Sequence, residues 1–207
     1  MSTTIERLTK PDLPEAAAVL AAALHDEPGF VSVIPDPRLR GDVMGALFQI
    51  LVRDAFPLGN VWVAKGDGQI VGTAVWYAPG DFPMTLLRQL RLVPVMLPLL
   101  RYGRGMVSNL GRMEGNAKAA FPKEPCWYLA ALGVDPDRQG QGVGSHLMGA
   151  ALAEIDGGNG AAYLETGEAI NVRFYERFGF EVRESALQLA PPPGPTHWTM
   201  WRPPAGS

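Results

Sequence analysis

The residues whose types and spacing point most clearly to chemistry form a glycine-rich loop at positions 139–145, Gln-Gly-Gln-Gly-Val-Gly-Ser. Because glycine has no Cβ atom, three alternating glycines let the backbone come close to a bound group. An almost unbroken apolar stretch precedes the loop, and apolar residues at helical spacing follow it, so we expect a helix to begin near Gln141. A helix start presents unpaired N–H groups and the positive end of a dipole. The loop therefore has the chemistry of an anion site.

Neither of two common phosphate-binding motifs fits this loop. A P-loop requires a lysine after its last glycine, whereas Gly144 is followed directly by Ser145. A dinucleotide fingerprint counted from Gly140 or Gly142 would require a glycine where Ser145 or Leu147 stands. Because no lysine or metal-binding carboxylate lies among the glycines, backbone amides must hold the phosphate. This arrangement suits a bound diphosphate better than a phosphoryl-transfer reaction.

Four segments in order resemble the GNAT superfamily of N-acetyltransferases. They are Leu-Gly-Val at 132–134, the glycine-rich loop, Tyr-Leu-Glu-Thr at 163–166, and Asn-x-x-Phe-Tyr-Glu-x-x-Gly-Phe at 171–180. The resemblance implies the α/β (α+β) GNAT fold, acetyl-CoA as co-substrate, no metal, and direct attack of an amine on the thioester. In this fold the central strand separates from its neighbour, and the pantetheine arm of coenzyme A pairs with the free strand edge.

The resemblance also implies roles for individual residues. The Val134 N–H would polarise the thioester carbonyl, a contribution of roughly 3 kcal/mol per donor. Tyr175 would be the general acid and Glu165 the base, acting through water. Residues that would bind coenzyme A are Leu132, Val134, Gln139, Gly140, Gln141, Gly142, Val143, Gly144, Ser145 and Asn171.

Three of these roles have a structural alternative. Glu165 could instead pair with an arginine or cap a helix, and Tyr175 could be a core tyrosine with a satisfied hydroxyl. Asn171 could cap the start of its helix. Gly133, inside a buried strand, indicates either a bulge or a close approach of another backbone.

Within the superfamily, the likeness is strongest to the puromycin N-acetyltransferases. It is carried by residues 60–64, 122–127, 134–140, 164–166, 174–180 and 198–200, and it fades at 25–35 and 84–120. We therefore expect the acceptor to be a primary amine of a small, antibiotic-like molecule, selected by residues 25–35 and 84–121. Two alternatives are a non-catalytic acetyl-CoA-binding regulatory module and an N-acetyltransferase acting on proteins or peptides.

The order of predicted elements is β-α-α-β-β-insertion-β-α-β-α-β-β. It predicts one N-acetyltransferase domain over residues 1–207, a mixed, twisted sheet of six to seven strands with helices on both faces. Asp12 with Glu15 is typical of a capping box, and Asp36 before Pro37 predicts a second helix start. Residues 25–35 show no periodicity, and Pro94 and Pro98 interrupt a helical pattern.

The insertion, residues 84–123, is distinguished by charge. It carries a net charge of +6, whereas the rest of the chain carries −9. Such a basic, leucine-rich segment could cover an active site, lie on a membrane surface, line the path of an anionic ligand, or be an ordinary docked helix pair with solvated arginines.

The composition of the 207 residues is that of a soluble globular protein, with 47% hydrophobic and 19% charged residues. A net charge of −3 argues against a nucleic-acid partner, and the longest apolar run is too short to span a membrane. The single cysteine, Cys126, is expected in the core, and the absence of a visible secretory signal predicts a cytoplasmic protein. The scattered histidines, His25, His146 and His197, are not expected to be ligands. The oligomeric state stays open, a homodimer being one option.

Overall fold

The computed structural model describes residues 3–206, without the side chains of Val95 and Pro98. The terminal positions 1, 2 and 207 of the predicted domain lie outside this range. Seven helices and seven strands are assigned within it. The helices are α1 Leu13–Ala23, α2 Pro28–Val33, α3 Pro37–Ala55, α4 Leu86–Met96, α5 Arg104–Ala120, α6 Val143–Gly157 and α7 Ala169–Glu176. The strands are β1 Thr4–Arg7, β2 Val61–Gly66, β3 Gln69–Tyr77, β4 Trp127–Val134, β5 Ala162–Thr166, β6 Glu181–Leu187 and β7 His197–Arg202.

The strands form one mixed sheet in the order β1-β2-β3-β4-β5-β7-β6. All neighbouring pairs are antiparallel except β4 and β5, which are parallel. The β4–β5 pairing is short: only Trp127 with Ala162 and Tyr128 with Tyr163 are in register, although β4 continues to Val134. The two central strands therefore separate after their first residues, while the seven-stranded sheet confirms the predicted fold class.

Each face of the sheet carries a hydrophobic cluster. On one face, Leu20 of α1 and Met44 of α3 pack with Tyr77, Tyr128 and Tyr163. On the other face, α6 and α7 pack on the sheet, with contributions from Leu147, Met148, Ile155, Tyr175 and Phe180. Below, we call these the α1/α3 face and the α6 face. Helices on both faces confirm the predicted layer arrangement.

A third cluster joins the basic insertion to the rest of the chain. Leu92 of α4 and Leu99 are buried with Val43 and Ile50 of α3. The insertion is also held by charge, because Arg88 pairs with the buried Asp54 on α3, whose carboxylate accepts a hydrogen bond from Tyr77 at 2.8 Å. Within residues 3–206, no helix has the length and apolar character needed to cross a bilayer.

Several local predictions were wrong, each because a distant contact outweighed a local pattern. Asp12 precedes α1 but makes no side-chain capping bond; its carboxylate instead accepts from Lys65 at 2.8 Å. Glu15 accepts from the Ile70 N–H at 3.0 Å, across 55 residues. Asp36, in contrast, caps α3 as predicted, accepting from Arg38 N–H at 2.9 Å.

The helix predictions also needed correction at three places. The aperiodic stretch 25–35 contains α2, a helix too short to show an apolar period. Pro94 lies inside α4, and the chain passes directly into a 3₁₀ helix at Leu97–Tyr102. An apolar residue on an amphipathic helix is expected to face the core, but Ile170 on α7 is 74% exposed.

Candidate active site

The separation of β4 from β5 creates the main opening in the sheet. Leu132, Gly133 and Val134 pair with Ala74, Thr73 and Gly72 of β3 on one side, but no β5 residue pairs with them on the other. A strand edge with one unpaired row of N–H and C=O groups can accept an extended ligand as an added strand. The opening therefore offers the backbone groups that the sequence predicted for the pantetheine arm.

The close-approach interpretation of Gly133 is confirmed, and the bulge lies elsewhere. A Cβ atom on Gly133 would lie 2.8 Å from Ala23 Cβ and 3.1 Å from Leu20 Cδ2, so α1 packs directly on this strand. The register of β4 on β3 shifts between Ala131 and Leu129 instead.

The glycine-rich loop leads from β4 into α6. Gly140 and Gly142 adopt left-handed conformations with φ of 73° and 84°, which favour glycine. Helix α6 begins at Val143, two residues later than predicted, because Gly142 occupies the N-cap position without a side-chain cap. The first N–H groups of α6 therefore have no intrahelical acceptor and no capping side chain, which leaves them free to bind an anion.

Side chains of the predicted cofactor residues are engaged inside the loop. Gln139 donates to the Val134 carbonyl at 3.2 Å, and Gln141 donates to the Asp137 carbonyl at 3.4 Å. These bonds shape the loop and leave its backbone amides as the anion donors. Asn171 donates to Glu168 Oε2 at 3.4 Å, a contact between two side chains at the start of α7 and not a helix cap, since no side chain caps this helix.

Glu165 is a carboxylate in an unusual environment. It lies on β5, on the same face as Tyr163, and its Oε1 atom has neither solvent contact nor a hydrogen-bond partner among the described residues. Burial raises the pKa of Glu165 to about 7, against the opposing effects of the Tyr128 and Tyr163 hydroxyls and of His197. A carboxylate with such a pKa can accept a proton near neutral pH.

A second carboxylate near Glu165 was not foreseen. Glu27, the N-cap of α2, is 3.2 Å from His197 Nε2, although the two residues are 170 positions apart. Cross-strand register puts His197 on the same face as Glu165, whose direct partner on β7 is Thr199. His197 is 3% exposed and its Nδ1 atom has no partner within the described chain. Two glycines leave room for this contact: a Cβ on Gly167 would lie 2.2 Å from Glu27 Oε1, and a Cβ on Gly29 would lie 2.9 Å from Glu27 Oε2.

Tyr175 lies on the α6 face, opposite to Glu165. It is buried against Phe174 and Phe180, with ring centroids at 5.1 and 6.0 Å, and burial raises the pKa of its hydroxyl. A Cβ on Gly144 would contact both Phe174 and Val134 at 3.6 Å, so α7 packs at the start of α6 beside the end of β4. The structure thus brings Phe174, the neighbour of Tyr175, to the loop, and it places Tyr175 and Glu165 on opposite faces of the sheet.

The α1/α3 face beside Glu165 is aromatic. Tyr128 lies between Tyr77, Phe82, Phe121 and Tyr163, with ring centroids at 4.6 to 6.4 Å. Helix α2 contacts α5, which brings residues 25–35 next to the insertion. Phe30 of α2 packs on Phe48 with ring centroids at 6.1 Å. Residues 25–35 and the insertion therefore lie side by side, and their selection of the acceptor stays a prediction.

The remaining candidates are structural. His25 bonds to Asp26 at 2.7 Å and to the Pro37 carbonyl at 3.0 Å, and Asp26 pairs with the buried Arg40 at 2.9 Å. Burial raises the pKa of the Cys126 thiol to about 11, so it is a poor nucleophile. Among the described residues, no group of three or more His, Cys, Asp or Glu side chains could hold a metal ion.

Comparison with known proteins identifies the family to which the chain belongs. The model of the acetyltransferase (GNAT) family matches residues 28–180. The chain belongs to the GNAT family. It is therefore an acetyltransferase, and enzymes of this family use acetyl-CoA.

Related proteins differ in their acceptors. A tRNA(Met) cytidine acetyltransferase of Nitrosococcus halophilus is 32% identical over 127 residues, 58% of this chain but only 16% of that protein, so the GNAT chain spans about a sixth of its relative. A structure described as histone acetyltransferase HPA2 and related acetyltransferase, from Corynebacterium glutamicum, is 29% identical, with a TM-score of 0.71 and coverage of 100% and 99%. A polyamine N-acetyltransferase of Drosophila melanogaster shares the fold at 17% identity, with a TM-score of 0.66 and coverage of 98% and 100%.

Proposed function

We propose that this GNAT enzyme transfers acetyl from acetyl-CoA directly to a primary amine of a small molecule. The observation that carries the proposal is the opening between β4 and β5, with an anion-binding helix start at its end and the carboxylate of Glu165 beside it. Antibiotic-like amines of the puromycin type are the first candidates, on the sequence likeness alone. One N-acetyltransferase domain with the insertion at 84–123 is part of the same proposal.

In the proposed complex, the cofactor occupies the opening. Its diphosphate accepts hydrogen bonds from the backbone amides of residues 139–145, and its pantetheine arm pairs with the free edge of Leu132 and Val134. The Val134 N–H donates to the thioester carbonyl and stabilises the oxyanion. Asn171 exchanges its bond to Glu168 for one to coenzyme A.

Glu165 is the proposed base. A primary alkylamine with a pKa near that of lysine, about 10.4, enters mainly as the ammonium form and must lose a proton before it attacks. With a pKa of about 7, Glu165 is roughly half ionised at neutral pH and can accept that proton through water.

Tyr175 is the proposed acid. The tetrahedral intermediate collapses to the amide and the thiolate of coenzyme A. A thiol has a pKa of about 8.5, lower than that of tyrosine, and burial raises the pKa of Tyr175 further. Tyr175 therefore acts mainly by donating a hydrogen bond to the sulfur, and the proton is transferred late.

The aromatic surroundings of Glu165 favour a small-molecule acceptor. The rings of Tyr128, Phe121 and Phe82 pack on one another next to Glu165, and α2 contacts α5, which joins residues 25–35 to the insertion. Aromatic walls suit a compact acceptor with an apolar body, whereas an extended peptide requires an open groove.

A thiol-release screen tests the proposal. Acetyl-CoA is supplied with small primary amines, with peptides bearing a free N-terminus or lysine, and with tRNA, and products are identified by mass spectrometry. We expect release matched by N-acetylation of at least one class of small amine and its loss in Glu165→Gln. Turnover of peptides or tRNA alone, or of no acceptor, would reject the small-molecule assignment.

A further inference from the structure

Helix α4 presents apolar side chains to solvent along one face. Leu86, Leu90 and Val93 follow the spacing of one helical face and are 71%, 59% and 42% exposed. The row continues into the following 3₁₀ helix with Leu97 and Leu100, which are 55% and 53% exposed. With Leu87 and Met96 included, we call this surface the apolar ridge.

The apolar ridge is concentrated in one place. Ten large hydrophobic residues are exposed among the described residues, and seven of them belong to the ridge. The other three, Val31, Ile170 and Val182, are scattered on different elements. Exposed single apolar residues are ordinary, but a contiguous row of seven indicates a binding surface.

The opposite face of α4 holds the helix in this orientation. Arg88 Nε donates to the buried Asp54 carboxylate at 2.9 Å, and the Arg88 guanidinium lies over the Tyr77 ring. Leu92 is 7% exposed and packs with Val43. The leucines of the ridge therefore face outward while the helix is fixed by a buried ion pair. Turning them inward would break that pair.

Positive charge borders the ridge. Arg91 lies one turn after Leu87, Arg101 directly follows Leu100, and Arg104 begins α5; all three arginines are exposed. No acidic residue occurs between positions 84 and 113, and Glu114 pairs with Lys118 at 2.6 Å. A symmetric dimer through this surface would place arginines against arginines, so its charge disfavours a second copy of the chain and favours an anionic partner.

We propose that the apolar ridge and its arginines bind an anionic lipid bilayer. A bilayer surface offers both complements at once, an apolar boundary for the leucines and acidic headgroups for the arginines. Helix α4 lies in the interface plane, docked on the protein by Leu92 and Arg88 and inserted through the ridge. This binding is peripheral and independent of the acetyl-transfer chemistry.

Co-sedimentation of the full-length protein with lipid vesicles tests this inference. We expect binding at low salt to vesicles of equal parts phosphatidylcholine and phosphatidylglycerol, and much weaker binding to phosphatidylcholine alone. High salt should weaken the binding, because it screens the arginines. Leu90→Gln with Leu97→Gln should lower the partition coefficient at least about tenfold, since several buried methylene groups are lost. Arg91→Gln should lower it about fivefold.

Ile170→Gln is the matched control, because it removes one exposed apolar side chain outside the ridge; its partition coefficient should stay within about twofold. Circular dichroism and thermal unfolding verify that each variant is folded. Three outcomes overturn the inference: no binding to anionic vesicles at low salt, equal binding to both vesicle types, or a dimer, detected by analytical ultracentrifugation, that the Leu90 and Leu97 changes dissociate.

Discussion

The apolar residues of the region from Trp127 to Phe180 are mostly buried, whereas many of those in the insertion, residues 84–123, are exposed. In the first region, Leu147, Met148 and Ile155 are fully buried on the α6 face. In the insertion, the leucines of the apolar ridge face solvent while the charged Arg88 is partly buried with Asp54. The first region packs into the hydrophobic cluster of the α6 face and contains the opening between β4 and β5. The insertion is built around outward contacts.

This difference separates the effects of mutation. Substitutions in the first region should alter catalysis or cofactor affinity. Substitutions in residues 25–35 or in the insertion should instead alter which amine reacts. Single substitutions in each region can therefore test whether the two sets of effects are independent.

Glu165→Gln should lower kcat/KM by about 10²-fold or more, the range expected for loss of a general base. The wild-type kcat/KM should rise with pH through about 7, because the base is active only when ionised and burial raises its pKa to that value. Steady-state kinetics between about pH 6 and pH 8 measure both effects.

The variant should lose this rising limb, and acetyl-CoA affinity should be unchanged. Glu181→Gln, which removes an exposed carboxylate on β6, is the control and should keep the profile. A wild-type profile that is flat across this range would remove Glu165 from the mechanism.

Tyr175→Phe should lower kcat by roughly 10- to 10²-fold, near the low end for general acids, because a thiolate is a fairly stable leaving group. Acetyl-CoA affinity should change little, since the hydrogen bond forms late in the reaction. Single-turnover kinetics under conditions where chemistry limits the rate measure the effect. A rate near that of the wild type would make Tyr175 a packing residue of the α6 face.

Gly142→Val should weaken acetyl-CoA binding at least about tenfold, or ~1.4 kcal/mol, because a branched side chain enters the loop where the backbone meets the diphosphate. Calorimetric titration measures the affinity. Gly142 has a positive φ, so backbone strain alone will also lower stability.

Gly68→Val separates these two effects. Gly68 has a φ of 79°, close to that of Gly142, and lies in the β2–β3 turn with open space around its missing Cβ. We expect this control to lose comparable stability and keep its acetyl-CoA affinity. Equal affinities in the two variants would place the diphosphate elsewhere.

Phe30→Ala and Met113→Ala should change the relative rates across an amine panel by several-fold, because both residues belong to the segments that we propose select the acceptor, residues 25–35 and 84–121. Acetyl-CoA affinity should stay within about twofold. Parallel competition assays with pairs of amines measure the preference. Proportional loss of activity for every amine together with cofactor affinity would mean that these residues only support the fold.

The sequence predicted the parts of the molecule that depend on neighbours along the chain. The hairpin of β2 and β3, the Asp36 cap of α3, and the passage from β4 through the loop to α6 are continuous segments with strong local patterns. The predicted order ends with two strands, and the last strand in the structure is β7 at His197–Arg202. The glycine pattern at 140–144 predicted the candidate site, because glycine is favoured where the backbone adopts a left-handed conformation or approaches a ligand closely.

The rest depends on contacts between distant residues. Glu27 and His197 meet across 170 positions, and Gly29 and Gly167, which leave room for this contact, do not reveal in the sequence which residues fill it. Asp12 and Glu15 form a typical capping box by sequence, but Lys65 and the Ile70 N–H compete for their carboxylates. Burial raises the pKa of Glu165, and the Tyr128 hydroxyl, which lies on another strand, opposes that rise. No local pattern encodes these environments.

A crystal structure of the protein with acetyl-CoA would test the central claim most directly. We expect the diphosphate within hydrogen-bonding distance of the backbone N–H groups of Gly142, Val143 and Gly144. The pantetheine arm should lie along the free edge of β4, in the opening between β4 and β5. The acetyl group should then lie between Glu165 and Tyr175, reached from the two faces of the sheet. A diphosphate bound instead by the arginines of the insertion, with the opening between β4 and β5 empty, would contradict the account.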